Sequence, residues 1–304
     1  MKVTVLYGGP SAEREISLVS GRAVIEGLQS MGHDVFPSDV SPADLSGLEH
    51  PADVIFPVLH GAFGESGELQ EILEARNLAF VGSGSRASRL GMDKVASKRV
   101  WERIGLATPA YQVLTDEGPE GKTVAVPCVV KPIDSGSSID VYICKTRQEA
   151  SQAIEKVMGK HGQVLVEKYI KGPEVTVGLL QEQPLDPIRI VVKREFFDYQ
   201  AKYQGCGTEH RFDLGLPEHL VQEIRELARR ANDTLGCRDL ARVDMMLDEQ
   251  NRPYLIEINT MPGFTPRSLL PEAAAHAGIS FGQLVDRLVR RAYARHRRMA
   301  VDAA

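Results

Sequence analysis

The chain has 304 residues, 43% of them hydrophobic and 25% charged, enough for two or three domains of ordinary size around substantial cores. Its net charge of −5 provides no global field that favours nucleic acid or an anionic membrane, and no run of about 18 apolar residues exists to span a bilayer. The four cysteines, Cys128, Cys144, Cys206 and Cys237, form no CxxC pair and suit neither a zinc site nor a disulfide framework; the opening MKVTVLYGG has no signal-peptide architecture, so the expected location is the cytoplasm.

In chain order, residues 2–7 form an apolar strand, Gly8-Gly9-Pro10 a turn, and residues 11–30 a helix stopped by Gly32. Residues 35–36, 53–59 and 78–81 read as further strands, with a short helix at 68–75. This alternation is the rhythm of a parallel sheet with crossover helices. A second block begins near Gly84: a helix at 89–104, strands at 124–131, 141–145 and 164–169, and a helix at 149–158. A third begins near Glu174: strands at 175–180, 188–193, 240–247 and 254–258, and helices at 218–235 and 281–298. Residues 198–217 are polar and aperiodic, and a loop of that length in a compact domain is usually functional, such as a lid. The basic run from Arg290 to Arg298 suits the negative end of its helix and reads as a solvated face.

Three glycine motifs imitate nucleotide sites. Gly121-Lys122-Thr123 has Asp116 where a P-loop needs glycine and precedes a strand instead of following one, so it is a turn. Gly82-Ser83-Gly84 lacks the acid a dinucleotide fold requires, so it is a strand-to-helix turn between domains. Gly8-Gly9 leaves two readings open, a tight turn or a helix N-terminus facing an anion.

The stretch RPYLIEINTMPG places Glu257 and Asn259 two apart in a strand, hence on one face. Upstream, Arg242-Val243-Asp244 has the same spacing, and the polar turn 248–252 makes the two strands a hairpin. Pairing brings Asp244 towards Glu257 and Asn259. Two carboxylates and an amide suit a hard cation such as Mg²⁺ that keeps waters and phosphates; an exposed polar hairpin face is the alternative, and spacing alone leaves both open. The run from Lys131 to Ser138, a lysine at a strand end followed by a Gly/Ser loop, fits a phosphate cradle, with a flexible linker as the alternative. Lys94 by itself is an ordinary solvated lysine.

At these residues the chain resembles the ATP-grasp ligases, and within them the D-alanine–D-alanine ligase family. The matching segments run in order from Tyr7 to Pro271: YGGPSAEREISLVSG, LHGAFGESGELQ, GMDKVASK, VVKPIDSGSS, VEKYIKGPEVTV, FDYQAKY, ARVDMM and IEINTMPGFTPRSLLP. Together they are specific, although each alone is weak. The resemblance implies an N-terminal α/β parallel-sheet (pre-ATP-grasp) domain at 1–83, then a two-domain ATP-grasp fold of α+β subdomains at 84–173 and 174–304. It implies ligation of two D-alanines at the expense of ATP, through an acylphosphate, for peptidoglycan synthesis. By the same resemblance Lys94 and Lys131 hold ATP phosphates, and Glu167, Tyr169, Ile170 and Glu174 contact adenine and ribose. Asp244, Glu257 and Asn259 hold Mg²⁺ or Mn²⁺, with two ions expected. Glu13 anchors the first D-alanine's ammonium near His60, with Ser137 and Tyr203 as its partners. Arg242 and the Gly263 N–H stabilise the oxyanion, and Ser268 with the Leu269 backbone takes the second D-alanine's carboxylate. Lys202 is the loop lysine, and Tyr203 favours D-alanine over D-lactate as acceptor. A homodimer is the family expectation.

Several positions depart from the family's pattern. Ser135 replaces a commonly charged residue, Asp140 replaces the usual glycine, and Gly205 to Phe212 is unusual. The rival readings are a ligase with D-lactate or D-serine as acceptor, and a catalytically inactive nucleotide-binding protein.

Overall fold

A computed structural model describes residues 1–136, 139–192 and 208–302. Three sheets organise it. The first is parallel, with β1 (Lys2–Tyr7) between β2 (Asp34–Asp39) and β3 (Val54–Pro57). Helix α1 (Arg14–Ser30) crosses over between β1 and β2, and α2 (Ala62–Glu65) and α3 (Glu68–Ala75) follow β3. The strand expected at 78–81 is reduced to one bridge, Ile55 to Phe80. Gly82, at φ 100°, turns the chain away there, and its N–H goes instead to the Asp239 carboxylate at 2.9 Å. Gly8 and Gly9, both near φ 78–79°, form a tight turn. Their N–H groups are taken by Ser17 Oγ and Asp39 Oδ1, which decides between the two readings of that pair.

The second sheet has the order β5-β4-β8-β6-β7 and is antiparallel throughout. Its strands are β4 (Tyr111–Thr115), β5 (Gly118–Gly121), β6 (Cys128–Lys131), β7 (Tyr142–Cys144) and β8 (Val164–Lys168). The β4–β5 hairpin was not expected: it is mostly polar and lies at the sheet edge, so no apolar period announces it. Gly121, expected to open a turn, is instead the last paired residue of β5, and Lys122 and Thr123 leave the sheet without regular structure. Helix α6 (Arg147–His161) starts at a Thr146/Glu149 capping box and buries Ala153 and Val157 against this sheet. Cys128 and Cys144 face each other across β6 and β7 as buried free thiols, and Cys237 is likewise buried and free.

The third sheet has the order β12-β11-β9-β13-β14, with β10 (Gln183–Pro184) beside β9. The strands are β9 (Glu174–Leu180), β11 (Ile188–Val192), β12 (Thr208–Arg211), β13 (Leu240–Leu247) and β14 (Pro253–Asn259). Part of the expected loop 198–217 is therefore a strand: β12 pairs antiparallel with β11, while residues 198–207 lie outside the described residues. Helix α7 (Glu218–Leu235) packs Ile224, Ala228, Ala231 and Leu235 against this sheet. The single helix expected at 89–104 is two, α4 (Ser85–Met92) and α5 (Lys94–Arg103). Asp93 breaks them: it leaves the helical conformation, and its carboxylate caps α5 by accepting Val95 and Ala96 N–H at 2.9 and 2.8 Å. After β14, α8 (Leu269–His276) leads to α9 (Phe281–Asp302).

Helix α9 returns to the first sheet. Its Leu284, Val285, Leu288 and Val289 are fully buried with Val3, Val5, Leu28 and Phe56. The basic run it carries is not simply solvated. Arg290 pairs with Asp286, but Arg291 and Arg295 turn inward to Glu182 and Asp239, and Arg295 also donates to Phe80 O at 2.7 Å. Asp239 is fully buried and sits at φ 66°. It thus joins α9, the turn at Gly82 and the third sheet. No helix among the described residues is long and apolar enough to cross a membrane. Replacing Asp239 with Ala leaves Arg295 facing a buried gap, and is expected to cost about 3–5 kcal/mol in urea unfolding; a loss below about 1 kcal/mol would mean the pair behaves as a solvated surface contact.

Candidate functional site

Strands β13 and β14 pair so that Asp244 lies opposite Glu257 and Arg242 opposite Asn259. Directly opposite residues share a sheet face, as do residues two apart. All four polar side chains therefore stand on one face, while Val243, Met245, Leu255 and Ile258 are buried on the other against α7. Asp244 is itself 4% exposed. Its Oδ1 accepts Thr176 Oγ1 at 2.6 Å and Arg242 Nε at 2.9 Å, and its Oδ2 accepts Arg242 Nη2 at 2.7 Å. Asn259 Oδ1 accepts the Met261 N–H at 2.9 Å, which fixes the amide so that its oxygen is oriented.

Lys94 is not a solvated lysine. As the first residue of α5 it is 6% exposed. Its Nζ donates to Ser135 O at 2.7 Å and lies 3.2 Å from Glu257 Oε2. It thereby bridges the Gly/Ser loop and the hairpin. The contact uses the Ser135 carbonyl, so the side chain at that position does not enter it. Asp140, at φ 56°, pairs with Lys160 at 2.6 Å and His161 at 2.8 Å. These hydrogen bonds hold its carboxyl below the usual range.

Behind this loop a buried triad forms on the central sheet. Glu167 Oε2 lies 2.8 Å from Lys131 Nζ, and Oε1 lies 2.7 Å from Lys98 Nζ. Burial alone would raise the Glu167 carboxyl, but the two ammonium groups outweigh it and hold it below the ordinary value. Burial pushes Lys98 down to about 8 against the pull of Glu167, with Lys131 adding to the fall. Lys98 also donates to Thr108 Oγ1 at 2.5 Å.

A third group gathers at the end of the first sheet. Gly61, at φ 85°, packs so tightly that a Cβ would come within 2.7 Å of Ser11 Cβ, and Ser11 Oγ donates to His60 O at 2.6 Å. This folds the segment His60 to Glu65 over Glu13. His60 is buried with Nε2 3.2 Å from Ser20 Oγ. Burial lowers it to about 4; the Met261 backbone opposes this and the Arg242 charge adds to it, so the ring is neutral near pH 7. Burial, then the Glu13 carboxylate, pushes Glu65 up to about 8, although its Oε2 accepts the Gly61 N–H at 2.6 Å.

One cavity of about 640 Å³ collects these groups. From the segments that follow β1 and β3 it takes Glu13, His60 and Glu65, and from the hairpin Arg242, Asp244, Glu257 and Asn259. Lys94, Glu174, Gly263, Ser268 and Leu269 complete its wall. Lys131 and Glu167 stand on the central sheet outside that wall, as do Tyr169 and Ile170 in the segment that follows β8. Ser137, Lys202 and Tyr203 lie outside the described residues. Sequence reasoning gave no role to Glu65, Lys98 or Thr176. Two of the three carried a signal: Lys98 is four residues from Lys94 on one helix face, and Thr176 is two from Glu174 on one strand face. Glu65 carried none beyond its place in a glycine-rich turn.

The donor set fits a hard divalent cation: two carboxylate side chains and one oriented amide oxygen on one sheet face, with lysine and arginine beside them for an anionic partner. Residues 38–83 match the family model described as the D-ala D-ala ligase N-terminus, and residues 100–290 match that of the D-ala D-ala ligase C-terminus. The chain is 43% identical over 288 residues to a D-alanine–D-alanine ligase of Pseudomonas entomophila, covering 93% of this chain and 91% of that one. It is 41% identical over 300 residues to one of Gloeobacter violaceus, covering 96% and 99%. Its fold is similar to the crystal structure of D-alanine–D-alanine ligase from Bacillus anthracis complexed with ATP, at a TM-score of 0.85 and 30% identity, covering 98% and 99% of the two chains.

Glu65 generates a pH prediction. Its folded value, about 8, lies above the ordinary 4.5, so the folded state binds a proton that the unfolded state releases between them. Stability from this group is fully present below pH 4.5 and is lost as pH rises through about 8. Replacing Glu65 with Gln should remove that part of the decline in unfolding midpoint, measured against the wild type across this window. Parallel curves for the two proteins would contradict the buried, protonated carboxyl.

Proposed function

Because the chain belongs to the D-alanine–D-alanine ligase family, it is an ATP-dependent ligase that joins two D-alanines for peptidoglycan precursor synthesis, and we propose that the cavity described above is where it does so. The observation that carries this reading is the meeting of the Asp244/Glu257/Asn259 face and Lys94 with the Glu13, His60 and Glu65 group in one cavity. A wall suited to phosphate and a corner suited to an ammonium then share one space. Readings with D-lactate or D-serine as acceptor, or with nucleotide binding and no turnover, are not favoured.

In this reading the first D-alanine's carboxylate oxygen attacks the γ-phosphorus of ATP and ADP departs, leaving an acylphosphate. The second D-alanine's amine attacks the acyl carbon and inorganic phosphate departs. Lys94 and Lys131 hold the phosphates as fixed point charges. Glu167, the backbone of Tyr169 and Ile170, and Glu174 receive adenine and ribose. Glu13 takes the first ammonium, and Glu65, by keeping its proton, removes a negative charge from beside it, so that a single ammonium matches the corner. Neutral His60 adds no competing cation. Arg242 and the Gly263 N–H stabilise the developing oxyanion, where fixed donors act most strongly. Ser268 and the Leu269 N–H take the acceptor's carboxylate. Asp244, Glu257 and Asn259 would hold Mg²⁺ or Mn²⁺, with two ions in this reading, which when bound offset the repulsion between substrate carboxylate and triphosphate. The three units, 1–83, 84–173 and 174–304, a cytoplasmic location and a homodimer belong to the same proposal.

The test is product-resolved turnover with Mg-ATP and D-alanine, following D-alanyl-D-alanine by mass spectrometry alongside phosphate. Dipeptide with stoichiometric phosphate is expected, and Glu257→Ala should lower kcat by at least about a thousandfold. Chelation of the divalent ion should stop turnover, and Mg²⁺ should restore it. Phosphate released only with another acceptor would replace the substrate in this reading.

A further inference from the structure

Helix α8 starts at Ser268 and Leu269, given above to the acceptor's carboxylate, and it is fixed to the edge of the third sheet by two contacts in step. His210 in β12 and Phe212 just after it are two apart, so both face α8. Glu272 and His276 are four apart on the helix, so both face the strand. His210 Nδ1 lies 2.5 Å from Glu272 Oε2, and Phe212 stacks on His276 with ring centroids 3.8 Å apart and planes within 6°. His276 continues to Asp186 at 3.5 Å, which Arg225 also binds.

Of the four contact residues His210, Phe212, Glu272 and His276, only His210 lines the cavity. Glu272 sits in the first turn of α8. A carboxylate there suits the helix dipole. It is, however, a like charge at the same helix end that must receive a substrate carboxylate, four residues after Ser268 and so on the same helix face. The hydrogen bond from His210 draws this carboxylate back to the sheet edge.

We infer that His210 is a positioning residue for the acceptor subsite, holding the Glu272 carboxylate away from the carboxylate of the incoming amino acid. This rests on the assignment of Ser268 and Leu269 to the acceptor. Its consequence is selective: loss of His210 weakens the acceptor and leaves ATP untouched. Removing the Glu272 charge at the same time repairs the defect, which a purely structural contact would not allow.

The experiment compares His210→Phe, the double variant His210→Phe/Glu272→Gln, and Ser268→Ala with the wild type. It measures KM for ATP, KM for the acceptor from two-site saturation by D-alanine, kcat, and the thermal unfolding midpoint. His210→Phe should raise the acceptor KM about tenfold with the ATP KM and midpoint unchanged. The double variant should return it to within about twofold of wild type. An unchanged acceptor KM in His210→Phe, or no recovery in the double variant, overturns the inference. If Ser268→Ala raises the acceptor KM while His210→Phe does not, only this inference fails. If Ser268→Ala leaves it unchanged, the acceptor's carboxylate is bound elsewhere and both fall.

Discussion

The whole arrangement depends on pairing three acids in and behind the cleft, Glu167, Glu257 and Asp244, with cations of the chain itself. Two unit charges 4 Å apart interact by about 4 kcal/mol at the effective dielectric of a protein surface, and an unpaired buried charge costs several kcal/mol. Glu167 is held by Lys98 and Lys131, Glu257 by Lys94, and Asp244 by Arg242. The Asp244–Arg242 pair lies within β13, but the lysine pairs cross element boundaries: Lys98 and Lys94 belong to α5, Lys131 to β6, Glu167 to β8 and Glu257 to β14. Neutralising the acids therefore also fixes where one helix and two sheets meet. The same cations suit a polyphosphate, so the requirement for stability and the requirement for binding are satisfied by the same side chains.

The corner that handles the amino acid is fixed differently, by apolar packing. Residues 260–265 leave β14 and cross to the first sheet. There Met261 and Phe264 join its core, and Phe264 lies 5.8 Å from Phe56 and 5.7 Å from Phe281 between ring centroids. The Phe264 N–H also reaches Ser20 Oγ. Gly263 stands between these two anchors, so its N–H is placed relative to Glu13 and His60 by the core of the first sheet. Helix α9 closes the same core from the far end of the chain, and Asp239 locks it to the third sheet. The metal-type face and the substrate corner are thus held in register by one apolar core and one buried carboxylate.

Sequence reasoning recovered what has a period or a forced spacing. The Glu257–Asn259 strand and its Arg242–Asp244 partner were legible because alternation in a strand is rigid, and the predicted pairing is the one found. Helices with a strong apolar stripe, such as α7 and α3, appear at the expected bounds. What was hidden depended on tertiary context. The break at Asp93 looks like an uninterrupted helix locally, since aspartate is tolerated inside one, and its capping role shows only when Lys94 is drawn toward Ser135 and Glu257. The segment 78–81 has strand composition but makes only one bridge, because a distant Asp239 claims the next N–H. Arg291 and Arg295 look like a solvated basic run because their partners are more than 50 positions away in sequence. The resemblance to the ligase family supplied the roles of Lys94 and His60, which no local pattern carried.

The departure at Asp140 shows how a loop keeps its shape when a residue suited to it is replaced. A left-handed backbone favours glycine and costs other residues roughly 1–2 kcal/mol, with aspartate among the more tolerant. Asp140 occupies that conformation at φ 56°, and Lys160 and His161 at the end of α6 bind its carboxylate. Cations at a helix C-terminus are favourable for the helix as well, so the pairing stabilises both partners. Glycine would hold the turn by permissiveness, leaving the loop free to sample other states. Aspartate holds it by attachment to α6, which ties this end of the Gly/Ser loop to the central sheet that also carries Lys131 and Glu167. The loop's other end is held through the Ser135 carbonyl to Lys94. The departures at Ser135 and Asp140 thus leave the loop anchored, at one end by a backbone carbonyl and at the other by ion pairs to α6.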